Sequence, residues 1–382
     1  KEDEATVPQR DGDWWYWSDH ETGAEYRRWW RRREGSEVEE LILDETALAE
    51  GKEYFRLGAL SISPDARLMA YAIDDNGSER FEVRVRDLET GELLPDTIPG
   101  MLSEIVWTAD SSAFLYGLAN AQWRTDNARL HRIGTPVDSD IELYHEADEG
   151  WRVSVGETQS RRFLVIAAGD HVTSEVRLIP ADDVTAEPLL VRSRQTGVEY
   201  DVEEHDGTLF IHTNDTHPNW RLATASLDAP GEWRERIAAD PHFYMTGVTT
   251  FAGFYVVEGR RDGLDQIRLH AYADDAATPI PFPEASYVAG LGDNPEYDMT
   301  TLRLGYESMV TPGTVYDYDV ASGALAVRKV QEIPSGYDPA RYATERLEIV
   351  ARDGTKVPCS VVYPHGFPRD GTGKLYLYAY GA

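Results

Sequence analysis

Cysteine is almost absent from this sequence, because Cys359 is the only one among 382 residues. A single thiol excludes an internal disulfide framework and every metal site built from several cysteines. We expect Cys359 to be a small buried side chain in a strand, and its isolation mildly indicates a reducing, cytoplasmic location. A periplasmic location stays open, because the sequence begins with Lys1 rather than an initiator Met and leaves a preceding signal segment undecided.

Basic residues are scarce as well. The chain has 37 Lys and Arg against 68 Asp and Glu, a formal charge of −31. Such a surface repels nucleic acid and anionic membranes and attracts cationic ligands, so we expect neither of the former as a partner. Two interpretations of this charge stay open. One is a general adaptation to solubility or salt, and the other is an electrostatic field that steers short basic peptides into the protein. No segment approaches the ~18 consecutive apolar residues of a membrane-spanning helix.

The motifs of common catalytic and cofactor sites are also missing. The sequence contains no Gly-x-Ser-x-Gly, no His-Glu-x-x-His and no phosphate-binding Gly-x-x-x-x-Gly-Lys. Histidines fall in different repeats without ligand spacing, and we expect surface or hydrogen-bonded roles for His131, His145, His171, His212 and His217. Three acidic pairs are interpreted as solvated turns: Asp74-Asp75, Asp182-Asp183 and Glu203-Glu204. We therefore predict no metal, no cofactor and no catalytic constellation within these residues.

What the sequence does contain is a long repeat marked by its turns. A turn at 63–67 leads into the apolar run 68–73, a polar loop follows, and an alternating strand at 81–88 closes with the turn 89–92. Similar turns are anchored at positions 12, 65, 110, 158, 206, 253 and 299, with gaps of 45 to 53 residues. Alternation predicts strands with one buried face, and seven near-equal units favour propeller blades over a solenoid or stacked sandwiches.

Two further features accompany the repeat. The opening segment is rich in tryptophan, with Trp14, Trp15, Trp17, Trp29 and Trp30. We expect these indoles to be buried between neighbouring blades, and a carbohydrate- or base-stacking platform is the alternative that the negative charge disfavours. No stretch between 16 and 330 has sustained helical spacing, so the fold is predicted to be mainly β.

The pattern changes after Val330. A Pro- and Gly-containing connector at 331–339 marks a domain boundary, and two strands are predicted at 346–350 and 357–363 around an Asp353-Gly354 turn. The final apolar residues, 375–380, are predicted to form another strand, one that needs partners on both sides. We predict a propeller over 1–333, a linker over 334–344 and, over 345–382, the truncated start of a second domain.

Several segments resemble the prolyl oligopeptidase family of serine peptidases, most closely its oligopeptidase B branch. They are Trp14–Ser18, Ala47–Gly51 through Ser63–Asp65, Val85–Glu92, Tyr337–Pro339, Ala351–Pro358 and Leu377–Gly381. The resemblance implies a seven-bladed propeller that caps an α/β-hydrolase domain and admits short peptides only, with cleavage after Arg or Lys. It places the Ser-Asp-His triad beyond Ala382, so this chain alone is expected to be inactive.

One catalytic role follows from the resemblance by position. In the family's Tyr-Gly-Tyr-Gly pattern the second tyrosine donates its hydroxyl to the oxyanion, and the matching residue here is Tyr380, with Ala379 in place of a glycine. A preorganised donor of this kind stabilises a transition state by ~3 kcal/mol. The alternative reading of the whole chain is a stand-alone binding propeller, which predicts a capping strand near Val330 and no second fold after it.

Overall fold

The protein is built almost entirely from four-stranded sheets. The computed structural model describes residues 4–102 and 104–379. Sheet 1 comprises β1 (Gln9–Asp11), β2 (Trp14–Asp19), β3 (Arg28–Arg33) and β4 (Glu39–Asp44). Sheet 2 comprises β5 (Arg56–Ile62), β6 (Leu68–Asp74), β7 (Phe81–Asp87) and β8 (Leu93–Met101). Sheet 3 comprises β9 (Val106–Trp107), β10 (Ala113–Tyr116), β11 (Asn127–Arg132) and β12 (Ile141–His145).

Four more sheets follow in chain order. Sheet 4 comprises β13 (Arg152–Glu157), β14 (Phe163–Gly169), β15 (Ser174–Pro180) and β16 (Leu189–Leu190). Sheet 5 comprises β17 (Tyr200–His205), β18 (Thr208–Thr213), β19 (Arg221–Ser226) and β20 (Ala229–Ile237). Sheet 6 comprises β21 (Phe243–Thr250), β22 (Tyr255–Arg261), β23 (Leu264–His270) and β24 (Ala277–Pro279). Sheet 7 comprises β25 (Val288–Leu291), β26 (Thr301–Glu307), β27 (Thr314–Asp319) and β28 (Leu325–Val330).

In every sheet the strands pair in sequence order, as a meander. The fold is therefore a seven-bladed β-propeller, and the prediction of seven units is confirmed. Each anchor position of the repeat falls in the turn or loop after the first strand of a sheet. The helical content of the described residues is small: α1 (Glu45–Ala49) and two single 3₁₀ turns, at Val137–Ser139 and Pro339–Arg341. None of these helices is long and apolar enough to cross a membrane.

Hydrophobic side chains from successive sheets pack together. In β7 burial alternates along the strand, so Val83 and Val85 point into the core while Arg84 points away, as the two-residue period of a strand requires. One cluster joins sheets 2 and 3 around Phe114, and similar clusters join sheets 1 and 2, 3 and 4, 4 and 5, and 5 and 6. Fully burying one such side chain stabilises the fold by ~1.5–3 kcal/mol, so successive sheets are held by apolar contacts.

The tryptophans of sheet 1 depart from their prediction. All five are only partly buried, and three of their indole N–H groups donate to carboxylates: Trp15 to Glu34, Trp29 to Glu45 and Trp30 to Asp19. Arg31 lies 4.0 Å from the centre of the Trp14 ring. An indole combines a large apolar face with one polar hydrogen, and a half-buried position satisfies both.

The chain divides into two compact units. Unit 1 contains the residues up to Val257 together with Leu269–Ala277 and Asn294–Met299. Unit 2 contains Glu258–Arg268, Thr278–Asp293 and the residues from Thr300 onward. The segment Asn294–Met299 thus belongs to unit 1, although the strands on either side of it in sequence, β25 and β26, lie in unit 2.

After β28 the chain forms one hairpin, β29 (Tyr342–Val350) with β30 (Lys356–Pro364). Both strands predicted here are confirmed, and Gly354 supplies the positive φ of 86° that their turn requires. The strand predicted for 375–380 is wrong over its described part, because residues 375–379 are not in a strand. An extended segment becomes a strand only when its backbone groups pair, and no described residue pairs with these, so Leu375 and Tyr376 stay 81% and 87% exposed.

Candidate functional site

The first strands of neighbouring sheets contact one another, β5 with β9, β9 with β13 and β17 with β21. In these three pairs the first strands lie side by side, so the turns that follow them are also close together. The turns that follow these strands, with the segment 294–297, carry a dense set of charged groups. We call this set, defined by residues 10–11, 157–162, 203–205 and 294–297, the inner-turn cluster. All of its members belong to unit 1.

The turn of sheet 4 repeats a local design found in sheets 2 and 3. A Ser or Thr at the start of each of these turns accepts a hydrogen bond from the backbone N–H five residues later. In sheet 4 the Thr158 hydroxyl accepts this bond from the Phe163 N–H at 3.3 Å. Ser63 and Thr108 make the same bond in their own turns, at 2.9 and 3.1 Å. Three residues into this turn the backbone is left-handed, with φ of 55° at Arg161. The local hydroxyl bond thus fixes the turn that presents the Arg161 side chain.

Arg161 bonds to Asp11, which lies 150 residues earlier in the sequence, and so joins the turn of sheet 4 to sheet 1. Its Nη1 and Nη2 donate to the two carboxylate oxygens of Asp11 at 2.9 Å each, and its Nε lies 3.7 Å from Glu157. Burial disfavours the charge, but the Asp11 hydrogen bonds hold the pKa of Arg161 above its usual value. Such a bidentate guanidinium–carboxylate pair has a fixed planar geometry, so it sets the position of sheet 4's turn against β1.

Gln159 holds a second set of contacts. Its backbone N–H donates to the Glu203 carboxyl at 2.8 Å, and its side-chain amide donates to the carbonyls of Asn294 at 2.7 Å and Glu296 at 3.2 Å. The Glu296 carboxylate in turn lies 3.3 Å from the Arg10 guanidinium. One turn of sheet 4 therefore connects β1, β17 and the segment 294–297.

Glu203 and Glu204 differ sharply although they are adjacent in sequence. Glu204 is fully buried and accepts hydrogen bonds from Ser160 at 2.7 Å, Arg162 at 2.8 Å and the Gly207 amide at 2.6 Å. These three bonds satisfy both oxygens of the Glu204 carboxyl group. The prediction that this pair is a solvated turn is wrong, because both residues lie in β17, where alternation turns one side chain to each face.

Glu203 has an environment that favours its neutral form. Burial, with the nearby Asp201 charge as a smaller contribution, raises the pKa of Glu203 to about 8. Its donors are the Gln159 amide and, at 3.3 Å, the Thr250 hydroxyl. No cation is among the main causes of the shift, and the side chain is half-buried, so this environment favours the neutral carboxyl.

His205 completes the cluster as a neutral aromatic group. Its ring stacks on Tyr272 with centroids 3.6 Å apart and planes inclined by 7°, and its Nδ1 shares a hydrogen bond with the Tyr297 hydroxyl. Burial lowers the pKa of His205 and raises the pKa of Tyr297 to about 12. Both groups are therefore uncharged at neutral pH and contribute packing and one hydrogen bond.

A cavity of about 570 Å³ opens beside the ion pairs. The charged residues that line it carry five carboxylates and two guanidinium groups. They are Asp11, Asp13, Asp65, Glu296 and Asp298, with Arg10 and Arg161. Trp14, Tyr16 and Tyr297 add aromatic surface. An excess of carboxylates in a cleft raises the local concentration of cationic ligands.

The residues singled out from sequence are dispersed. Tyr380, the oxyanion candidate, lies outside the described residues and stays a prediction. Cys359 is in β30 as predicted but is half-buried rather than buried, since that hairpin leaves one face open. Asp74 is buried, not solvated, and accepts four backbone amides of residues 76–79. No group of three His, Cys, Asp or Glu placed to hold a metal occurs within 4–102 and 104–379.

Sequence reasoning missed the members of the inner-turn cluster. Positions 158 and 206 were already marked as repeat anchors, and this is the signal that pointed to the right turns. The repeat could not show that the turn at 158–162 meets β1, because contacts between non-neighbouring sheets leave no periodic trace. His131 and His212 do follow their prediction, since each is buried and hydrogen-bonded to aspartate.

Comparison with known proteins places this geometry in context. The family model described as the N-terminal β-propeller domain of prolyl oligopeptidase matches residues 1–331. Dipeptidyl aminopeptidase BI of Pseudoxanthomonas mexicana is 34% identical over all of this chain and 55% of its own length. Protease 2 of Moraxella lacunata is 27% identical over 99% of this chain and 56% of its own length. The chain thus spans about half the length of the curated relatives it matches.

Solved structures agree with this assignment. Oligopeptidase B from Leishmania major superposes with a TM-score of 0.90 at 26% identity, covering 97% of this chain and 54% of the other. Oligopeptidase B from Trypanosoma brucei, in a closed form with covalently bound antipain, gives a TM-score of 0.89 at 30% identity with the same coverage.

Proposed function

The chain belongs to the prolyl oligopeptidase family as its propeller part, and on that premise we propose that it serves a serine oligopeptidase that cleaves short peptides after Arg or Lys. In this proposal the propeller excludes large substrates, and the nucleophile and its His and Asp partners belong to a part of the polypeptide outside these residues. The chain covers about 55% of its relatives' length and has no Gly-x-Ser-x-Gly motif, and both facts support this division.

The observation that carries the substrate preference is the charge of the cleft. Five carboxylates and two guanidinium groups line the cavity beside the inner-turn cluster. The two arginines pair with Asp11 and Glu296, which leaves an excess of three carboxylates, on a chain with a formal charge of −31. A cleft with an excess of one sign of charge concentrates ligands of the opposite sign and speeds their association. The likeness to two oligopeptidase B structures supports the same choice.

A second candidate is the removal of dipeptides from free N-termini. It is favoured by the 34% identity to a protein named dipeptidyl aminopeptidase BI. The two candidates differ in what they require of the substrate, since only the second needs a free α-amino group two residues before the cleaved bond.

The test uses the complete polypeptide and a set of matched reporters. We expect an N-blocked peptide with Arg at the cleaved bond to be hydrolysed at least tenfold faster, in kcat/KM, than the same peptide with Leu or Pro. The advantage should shrink with added salt, which screens the acidic field. A folded protein carrying the same Arg-containing sequence in a surface loop should not be cut, and the 382-residue chain alone should be inactive.

Three other results would favour a different function. Preference for Pro would contradict the basic specificity while keeping the family. Hydrolysis only of reporters with a free N-terminus would favour dipeptide removal. Peptide binding without hydrolysis by the complete polypeptide would favour the binding-propeller alternative.

A further inference from the structure

A smaller cavity lies at the other end of sheet 4, away from the turn that carries Arg161. It measures about 290 Å³, just under the ~300–1,000 Å³ of pockets for drug-sized ligands, so it suits a small molecule or one end of a larger one. Its walls come from the start of β13, the β14–β15 hairpin and the loop between β10 and β11. All of these segments belong to unit 1.

Strand pairing explains why there is space here. Residues that pair directly on neighbouring antiparallel strands point to the same face of a sheet. Arg152 of β13 pairs with Gly169 of β14, and Ser154 pairs with Ala167, so two polar side chains lie beside two of the smallest residues. Gly169 has no room for a side chain, because a Cβ there would lie 2.9 Å from the carbonyl oxygen of Thr173. The cavity is therefore built into the register of sheet 4.

Two arginines without an acidic partner line this cavity. Acidic residues outnumber Lys and Arg by 68 to 37 in the chain, yet neither Arg124 nor Arg152 makes an ion pair with any residue that the structure describes. Asp170 also lines the cavity, but its Oδ1 accepts two backbone N–H groups of its own turn, at 2.9 and 2.8 Å. The charge of the two guanidinium groups is thus left without a paired carboxylate.

The loop between β10 and β11 fixes the position of Arg124. The Asn120 side-chain oxygen accepts the backbone N–H groups of Gln122 at 2.9 Å and Arg124 at 3.1 Å. Trp123, between them, has a φ of 60°, a left-handed conformation that is strained for a bulky residue. The Arg124 guanidinium donates to the Glu149 carbonyl, which holds the side chain without neutralising it. The loop therefore presents a positioned cation to the cavity.

Arg152 and Ser154 supply further donors. Both side chains are exposed, and neither forms a side-chain hydrogen bond within 4–102 and 104–379. A guanidinium group has five N–H donors and no acceptor, and its planar fork matches the oxygens of a carboxylate or a phosphate. A strand and a loop thus contribute donors to one cavity, and a ligand that only accepts hydrogen bonds fits them best.

We propose that this cavity binds an oxyanion, the carboxylate or phosphate group of a small ligand, through Arg124 and Arg152 with the Ser154 hydroxyl as a third donor. The site is independent of the proposed function, because it shares no residue with the inner-turn cluster. The formal charge of −31 repels anions in general. At ~0.15 M salt, however, charges more than ~8 Å away are largely screened, so direct contacts with the two guanidinium groups decide the binding.

Calorimetric titration of the complete polypeptide tests the site with two probes, inorganic phosphate and an acetylated dialanine with a free carboxylate. We expect at least one probe to bind. Its dissociation constant should rise about tenfold or more in Arg152→Gln and in Arg124→Gln, because each loses charge-assisted hydrogen bonds, and by a smaller factor in Ser154→Ala. The amide of the same dipeptide, which has no carboxylate, should not bind.

The matched control is Arg132→Gln. Arg132 is also exposed and has no ion pair in the described part of the chain, but it lies on β11 outside the cavity lining. Its replacement should leave the dissociation constants within about twofold of the wild type. Arg152→Lys provides a second variant, since it keeps the charge but loses the fork, and its affinity should lie between those of the wild type and Arg152→Gln.

The two probes distinguish the sources of the anion. Tighter binding of phosphate would identify a phosphorylated small ligand, and tighter binding of the dipeptide would identify a peptide C-terminus. Binding of neither probe, or equal binding by the wild type and a folded Arg152→Gln variant, would overturn the site. Hydrolysis is not measured, so failure of the proposed function would leave this result unchanged.

Discussion

Replacing His131 with Asn is expected to lower the free energy of unfolding by about 3–5 kcal/mol. The imidazole is fully buried between two aspartates, with Nε2 2.9 Å from Asp96 and Nδ1 2.8 Å from Asp140. Each ring nitrogen therefore has a hydrogen-bond partner on a different aspartate, and the imidazole bridges the two carboxyl groups. Asparagine cannot bridge both, and it leaves buried carboxylates without their partner.

The two aspartates that flank His131 already accept other hydrogen bonds. Asp96 also accepts the Gly134 amide at 2.6 Å, and Asp140 accepts the Tyr116 hydroxyl at 2.7 Å. Burial, followed by that bond to Asp140, raises the pKa of Tyr116. No spare donor among these groups replaces the imidazole, and this is why the expected loss is large.

Urea unfolding followed by tryptophan fluorescence measures the loss. The control is His171→Asn, an exposed histidine whose replacement should cost less than ~0.5 kcal/mol. Adding Asp96→Asn and Asp140→Asn to His131→Asn should recover part of the loss, because an amide donates as well as accepts and the three side chains can then bond to one another. A cost below ~1 kcal/mol for His131→Asn would show that the three groups do not act as one buried hydrogen-bonded set.

Glu203→Gln is expected to stabilise the protein increasingly as the pH rises. The pKa of Glu203 is raised by burial from 4.5 to about 8. Below pH 4.5 the folded and unfolded chains both hold this proton. Between 4.5 and 8 only the unfolded chain releases it, so wild-type stability falls with pH, by at most about 1.4 kcal/mol per pH unit. Above pH 8 both states are ionised and the difference becomes constant.

The measurement compares unfolding free energies of Glu203→Gln and wild type from pH 5 to pH 9. Glutamine keeps the shape of the side chain and an oxygen that accepts from Gln159, but it cannot ionise. The difference in unfolding free energy between the variant and the wild type should therefore increase up to pH 8 and then stay constant. Glu232→Gln is the control, an exposed carboxylate on β20 of the same sheet, and its effect should stay below ~0.5 kcal/mol throughout. A gap that does not change with pH would contradict the neutral carboxyl.

Several predictions failed where burial depends on neighbours in space. The strand at 375–380 was predicted from its apolar residues, but a strand forms only against a partner, and its described part has none. Glu203 and Glu204 look like any acidic pair in a loop, yet they lie in β17, where Glu203 is half-buried and Glu204 is buried. Arg162 and Ser160 from sheet 4 bond to the buried Glu204. The oxyanion role of Tyr380 and the boundaries at 333 and 344 stay predictions.

The sequence by itself determined the number of sheets and the places where each begins. Turns and two-residue alternation are local properties, written within a few residues of one another at Ser63–Arg67 or at Asp206-Gly207, and they repeat seven times. Only the tertiary structure decided which turns meet. The pairing of Arg161 with Asp11 and the raised pKa of Glu203 arise from groups brought together from different sheets. Their energies depend on distance and burial, which no stretch of sequence specifies.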